Sequence, residues 1–88
     1  MKTAFKKSFL KKLKTIKDQN LKNRITKAII QVEKSNHVSE IQGLKKLKGF
    51  ENYYRVRIGN YRIGVHIKNN LVYFVTFSHR KNIYKEFP

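Results

Sequence analysis

An α+β fold is what this 88-residue sequence predicts: an antiparallel sheet of about four strands with two N-terminal helices packed on one face, in the order β-α-α-β-β-β. Three observations carry the prediction. Apolar residues recur with helical spacing up to Val32, and the period changes to two from Tyr53 onward. Two short turn signals, Gly59-Asn60 and Asn69-Asn70, separate the period-two runs.

Residues 2–5 read as a short first strand. Phe9, Leu13 and Ile16 then fall at i, i+4 and i+7 on one helical face, with Leu10 beside them. The sequence KDQN at 17–20 breaks that helix, and a second begins with Asn20 or Asp18 as N-cap. Its stripe, Leu21, Ile25, Ala28, Ile29 and Val32, is the clearest in the chain, and both stripes are expected to cover a sheet. Residues 35–50, punctuated by Gly43 and Gly49, read as a connection. Beyond it, Tyr54, Val56 and Ile58 alternate with Tyr53, Arg55 and Arg57, and Tyr61, Ile63, Val65 and Ile67 alternate with Arg62, Gly64, His66 and Lys68. Each run is a strand with one apolar face. Residues 71–78, LVYFVTFS, are apolar on both faces, as a central strand is.

One domain over residues 1–88 is expected at this length, with the core as its only source of stability because cysteine is absent. No apolar run is long enough to span a bilayer, and the basic N-terminus lacks a signal peptide's apolar segment, so a cytoplasmic location is expected. The formal net charge of +16 is the dominant feature of the composition. Charge of that size draws polyanions: nucleic acid, an anionic membrane or an acidic protein.

The arginines focus that charge. If Gly59 and Asn60 are the centre of a two-residue turn, counting outward pairs Ile58 with Tyr61, Arg57 with Arg62, Val56 with Ile63, and Arg55 with Gly64. Like charges placed opposite one another destabilise a strand pair by about 0.2–1 kcal/mol, and glycine forgoes strand propensity. Neither choice helps the sheet. Both make sense if Arg55, Arg57 and Arg62 form a concave patch for an anion, the opposed guanidiniums offering forks of donors to phosphate and Gly64 leaving room above Arg55. The alternative is a solvated sheet face whose repulsion is screened by salt. Tyr53 and Tyr73 lie where they can stack on bases, His66 shares the face, and Lys46 and Lys48, flanking Leu47, are candidate phosphate contacts.

The run LKGFENYYRVRIGNYRIGVHI followed by LVYFVTFSHRKNIYKEF resembles the second half of the RelE toxins of the RelE/ParE superfamily, small basic proteins encoded with an antitoxin. The resemblance covers residues 47–87 closely, and the preceding strand and helices fit the same fold. It implies an endoribonuclease that cuts messenger RNA in the ribosomal A site without metal or cofactor, and an acidic antitoxin as partner. Arg55 and Arg57 match the family's paired strand cations, Arg62 the arginine of its GxYR segment, and Arg80 and Tyr84 its C-terminal cation and tyrosine. His79 matches a histidine present in part of the superfamily.

The chemistry is consistent with that implication. Cutting RNA without metal uses the neighbouring 2′-hydroxyl as nucleophile, so the protein supplies a proton acceptor, charge stabilisation at the phosphorane and a donor to the leaving oxygen. The sequence offers no carboxylate pair, metal cluster or Ser-His-Asp set. Imidazole titrates near neutrality, which makes His79, next to Arg80 and leaving the central strand toward the same site, the best single acid or base. Two other readings remain open: a ParE-like poison of DNA gyrase acting through protein contacts, and a non-enzymatic RNA- or ribosome-binding module.

Overall fold

The computed structural model describes all 88 residues. Its strands are β1 (Lys2–Phe5), β2 (Leu44–Lys46), β3 (Tyr53–Ile58), β4 (Tyr61–Lys68) and β5 (Leu71–His79). Its helices are α1 (Lys7–Thr15), α2 (Gln19–Lys34) and a short C-terminal α3 (Ile83–Glu86), with one 3₁₀ turn at Val38–Glu40. The sheet has five strands in the order β1-β5-β4-β3-β2, antiparallel except that β1 runs parallel to β5. This corrects the four-strand expectation: β2 lies inside the segment read as a connection, and three residues are too few to display a period.

Helix α2 starts where a cap permits. Asp18, rather than Asn20, accepts hydrogen bonds from the backbone N–H groups of Asn20 (2.9 Å) and Leu21 (3.3 Å). The Asn69-Asn70 turn holds both residues left-handed, with φ of 53° and 62°, while the Gly59-Asn60 turn needs a left-handed residue only at Gly59, φ 62°. Both turns close with the expected residues at their centres. The β3–β4 register is the one counted from the sequence, including Arg57 opposite Arg62 and Arg55 opposite Gly64.

One face of the sheet packs on α1 and α2 through a buried cluster that includes Phe9, Ile25, Val32, Val56, Ile63, Val65, Val72, Phe74 and Phe77. Phe9 of α1 meets both Phe74 and Phe77, each with ring centroids 5.5 Å away. Two strand residues three apart normally point to opposite faces. They share a face here because β5 carries a β-bulge: Val65 pairs with Phe74 and Gly64 with Thr76, leaving Val75 as the extra residue. The bulge inverts the phase of everything after it on β5.

Beyond β1, the free edge of β5 is closed by side chains of α1. Ser8 donates to the Val75 carbonyl (2.6 Å) and the Lys12 Nζ to the Phe77 carbonyl (2.8 Å). The spacing fits, since four helical residues rise about 6.0 Å and two strand residues about 6.6 Å. No helix is long and apolar enough to cross a membrane.

The opposite face, which two helices on one side would leave open, is partly covered. The chain turns back after β5, and α3 brings Ile83 and Phe87 onto it, where they form a second small core with Leu47, flanked by Tyr53 and Val75. Glu86 fastens this segment to α1 through an ion pair with Lys12, 3.0 Å long.

Candidate functional site

The hairpin register and the inward packing of Val56 and Ile63 set Arg55, Arg57 and Arg62 on the face away from α1 and α2. Two are held by backbone carbonyls. Arg55 Nη1 donates to the Gly43 carbonyl (2.8 Å), and Arg62 Nη1 donates to those of Gly59 (2.8 Å) and Tyr61 (2.9 Å). Arg62 is therefore anchored by one nitrogen, with Nη2 and Nε left over to meet a ligand. The Arg80 N–H donates to the Asn60 carbonyl (2.8 Å), which ties the segment after β5 to the hairpin turn.

These groups feel one another. The Arg62 guanidinium is pushed below the ordinary arginine range, first by partial burial, then by Arg55 and Arg57, and then by Arg80, while an ionised Tyr84 would oppose the shift. Arg55, Arg57, Arg80 and Tyr84 are thus all near enough to act on the Arg62 charge, and the chain's single salt bridge, Lys12–Glu86, does not involve them. A lowered pKa on a cation marks repulsion in the folded state; because the titration lies far above neutrality, that cost persists at every working pH until an anion or salt relieves it. Arg57 stands at the edge of the cluster and also lines a groove of 370 Å³ with Arg24 and Lys27 of α2.

A cleft of 520 Å³ opens beside the cluster and shares Arg55 and Tyr84 with it. Lys46 and Lys48, singled out from the sequence, line this cleft, together with Lys45, Leu47, Phe50, Phe87 and Pro88. No group of three or more His, Cys, Asp or Glu side chains stands close enough together to hold a metal ion.

Three expected site residues stand apart from the arginines. His79 pairs with Tyr61, its ring 5.5 Å from the tyrosine ring, and lines a hollow with Lys12, Thr15 and Asp18 on the helix side. Its Nδ1 accepts from the Lys81 N–H (3.2 Å). The bulge at Val75 is the reason: unbroken alternation from Tyr73 would have put His79 on the arginine face. Tyr53 and His66 are on the outer face but pack on each other, centroids 4.8 Å apart, and Tyr53 meets Phe87 edge-on at 5.5 Å. They support the second core. Gly64 likewise opens no space above Arg55, because a Cβ there would come within 2.7 Å of the Phe87 ring.

Phe87 and Phe50 are the residues the sequence reading missed. Phe50 carried a signal, an aromatic residue in a turn next to Gly49 and Glu51 where burial is not available. Phe87 carried none, since its socket is made by a strand far away in sequence.

The family profile described as ParE toxin of type II toxin–antitoxin systems, parDE, matches residues 4–84. Fold and basic site together therefore define a toxin of a type II toxin–antitoxin system. Over 89 residues, covering the whole of both chains, the sequence is 40% identical to Toxin RelE3 of Methanocaldococcus jannaschii. The crystal structure of a RelB-RelE antitoxin-toxin complex from Methanococcus jannaschii superposes with a TM-score of 0.77 at 39% identity, covering 96% of this chain and 98% of that one. The intact RelBE toxin-antitoxin complex of E. coli gives a TM-score of 0.69 at 16% identity, covering 89% and 94%, a likeness of fold. The chain belongs to the RelE-type toxins of the RelE/ParE superfamily.

Proposed function

We propose that this toxin is a metal-independent endoribonuclease that cuts messenger RNA in the ribosomal A site, and that an acidic antitoxin holds it inactive. The observation that carries the reading is the convergence of Arg55, Arg57, Arg62, Arg80 and Tyr84 in one place without an acidic partner. An array of guanidiniums kept together against its own repulsion is stabilised by a phosphate, and most by one whose charge is growing.

In the reaction, the 2′-oxygen attacks the adjacent phosphorus, a new O–P bond forms, and the bond to the 5′-oxygen breaks to leave a 2′,3′-cyclic phosphate. Arg62, anchored through Nη1, offers Nη2 and Nε to the non-bridging oxygens, and Arg55 and Arg57 flank it. One proton leaves the 2′-hydroxyl and one reaches the 5′-oxygen. His79, on the other side of the sheet, does neither. Tyr84 acts on the Arg62 charge and takes part in proton transfer or stacks on a base. Lys46 and Lys48 are assigned to phosphates of the bound RNA or ribosome. Tyr53 and His66 are left with a supporting role. The charge of +16 suits an acidic partner, and the relatives crystallised as RelB-RelE complexes have an antitoxin bound.

The purified protein, added to a translation extract and followed by primer extension on the message, should leave cuts at codon spacing. An intact message with gyrase-linked DNA breaks would replace this reading with a ParE-type poison; intact message and DNA would leave a binding module.

A further inference from the structure

Five large apolar side chains are exposed, and two of them, Phe50 at 49% and Tyr84 at 63%, line the same cleft. The rest of its wall is Lys45, Lys46, Lys48 and Arg55 with Leu47, Phe87 and Pro88, and no Asp or Glu side chain lines it. Single apolar residues on a surface need no explanation, but two exposed aromatics set among four cations, beside a cluster of arginines, do.

Phe50 is also held in place. It follows Gly49 (φ 83°) and precedes Asn52 (φ 66°), two left-handed residues that fix the turn, and its N–H donates to the Leu47 carbonyl (3.4 Å). Its ring meets Tyr53 edge-on, centroids 6.4 Å apart, and Tyr53 is backed by Phe87. About half of Phe50 stays exposed to the cleft, on a platform that loses little entropy when a ligand binds.

We infer that this cleft is a nucleobase subsite, with Phe50 as the stacking platform for the base of a nucleotide next to the phosphate held by the arginine cluster. A base has a π-face for Phe50, and its phosphate supplies the anion for the lysines. An acidic peptide satisfies the lysines and leaves the aromatic face unused. Because Arg55 and Tyr84 belong to both cleft and cluster, one RNA strand occupies the two sites at once. The inference rests on the ribonuclease reading for the identity of the strand, and its test contains no cleavage step.

The chain has no tryptophan, so Phe50→Trp installs a unique fluorophore on the platform. The probes are a short 2′-O-methylated oligoadenosine, which cannot be cut, and an abasic chain of equal length and charge. Oligoadenosine should quench the tryptophan and the abasic chain should not. Phe50→Ala and Phe50→Leu should both bind oligoadenosine about tenfold more weakly than the parent, bind the abasic chain equally well, and keep the parent's salt dependence, since no phosphate contact is lost. Unchanged oligoadenosine affinity in Phe50→Ala, or a tryptophan that stays unquenched in a complex detected by anisotropy, would overturn the subsite. So would stronger quenching by a polyglutamate peptide than by oligoadenosine. Base-dependent quenching by a protein that leaves ribosomal messages intact would sink the nuclease reading and leave the subsite standing.

Discussion

On the helix side of the sheet, β3, β4 and β5 contribute Val56, Ile63 and Phe74 to one buried cluster; on the other side the same strands present Arg55, Arg57, Arg62 and Gly64. The first set is what an optimal core would choose. The second contains an opposed like-charge pair and a glycine in mid-strand, which together cost roughly 1 kcal/mol or more. Strands that satisfy every packing rule on one face break two on the other: the like-charge pair falls at the proposed phosphate site, and the glycine makes room for Phe87. Outside the second core around Phe87, substitutions should therefore separate: stability from the helix face, chemistry from the arginines.

The largest effect should come from Phe9→Ala, which removes the ring that joins Phe74 to Phe77. Loss of about 3–5 kcal/mol is expected in urea unfolding, with the remaining folded protein cutting RNA at the parental rate. Arg62→Ala should do the reverse. Single-turnover cleavage on programmed ribosomes should fall about 10²- to 10³-fold, while the melting temperature stays within a few degrees, because lost carbonyl hydrogen bonds are offset by relief from Arg57. A stable Arg62→Ala protein that cuts at the parental rate would collapse the division between the faces.

Gly64→Ala probes the second core, where the division blurs, since Gly64 sits on the arginine face and serves packing under Phe87. Its new methyl would meet the Phe87 ring at 2.7 Å, and overpacking of this kind costs about 1–3 kcal/mol. Displacing Phe87 also releases Tyr84, three residues before it, so cleavage should fall about tenfold as well. Gly64→Ala combined with Phe87→Leu should lose less stability than the two single changes summed; full additivity would mean the two residues do not share a socket.

The smallest effect concerns Glu86. Hydrogen bonds from Ser78 and then Lys12 hold its carboxyl below the ordinary carboxylate range, against partial burial. A lowered folded pKa means that the stabilisation is complete above the ordinary range and disappears as pH falls through the depressed value. Exchange of the Phe87 amide, which donates to the Ile83 carbonyl at 2.8 Å, should accelerate in that acidic window beyond the intrinsic rate. Glu86→Gln should remove the step, and an unchanged profile would dissociate the ion pair from the seating of α3.

The helix face was nearly all legible, because hydrophobic period and caps are local signals; Asp18 and the stripe from Leu21 to Val32 needed no knowledge of the partner strands. The hairpin was legible down to its residue pairs, since a two-residue turn leaves only one register. What escaped was decided by contacts distant in sequence. The parallel pairing of β1 with β5, the covering of Gly64 by Phe87, and the face taken by His79 all depend on elements far along the chain. One hint was present. Phe74 and Phe77 cannot both face the helices from an unbroken strand, so two large aromatics three apart are compatible with a bulge between them.

The side chains of Ser8 and Lys12 on the edge of β5 bear on solubility. Repulsion helps keep molecules of charge +16 apart, but any acidic partner that cancels the charge also cancels that protection. Unpaired strand edges then become templates for fibrous association. Here the carbonyls of Val75 and Phe77 are already occupied by the chain's own hydroxyl and ammonium groups, so this stretch of edge stays unavailable to other molecules even in an electroneutral complex.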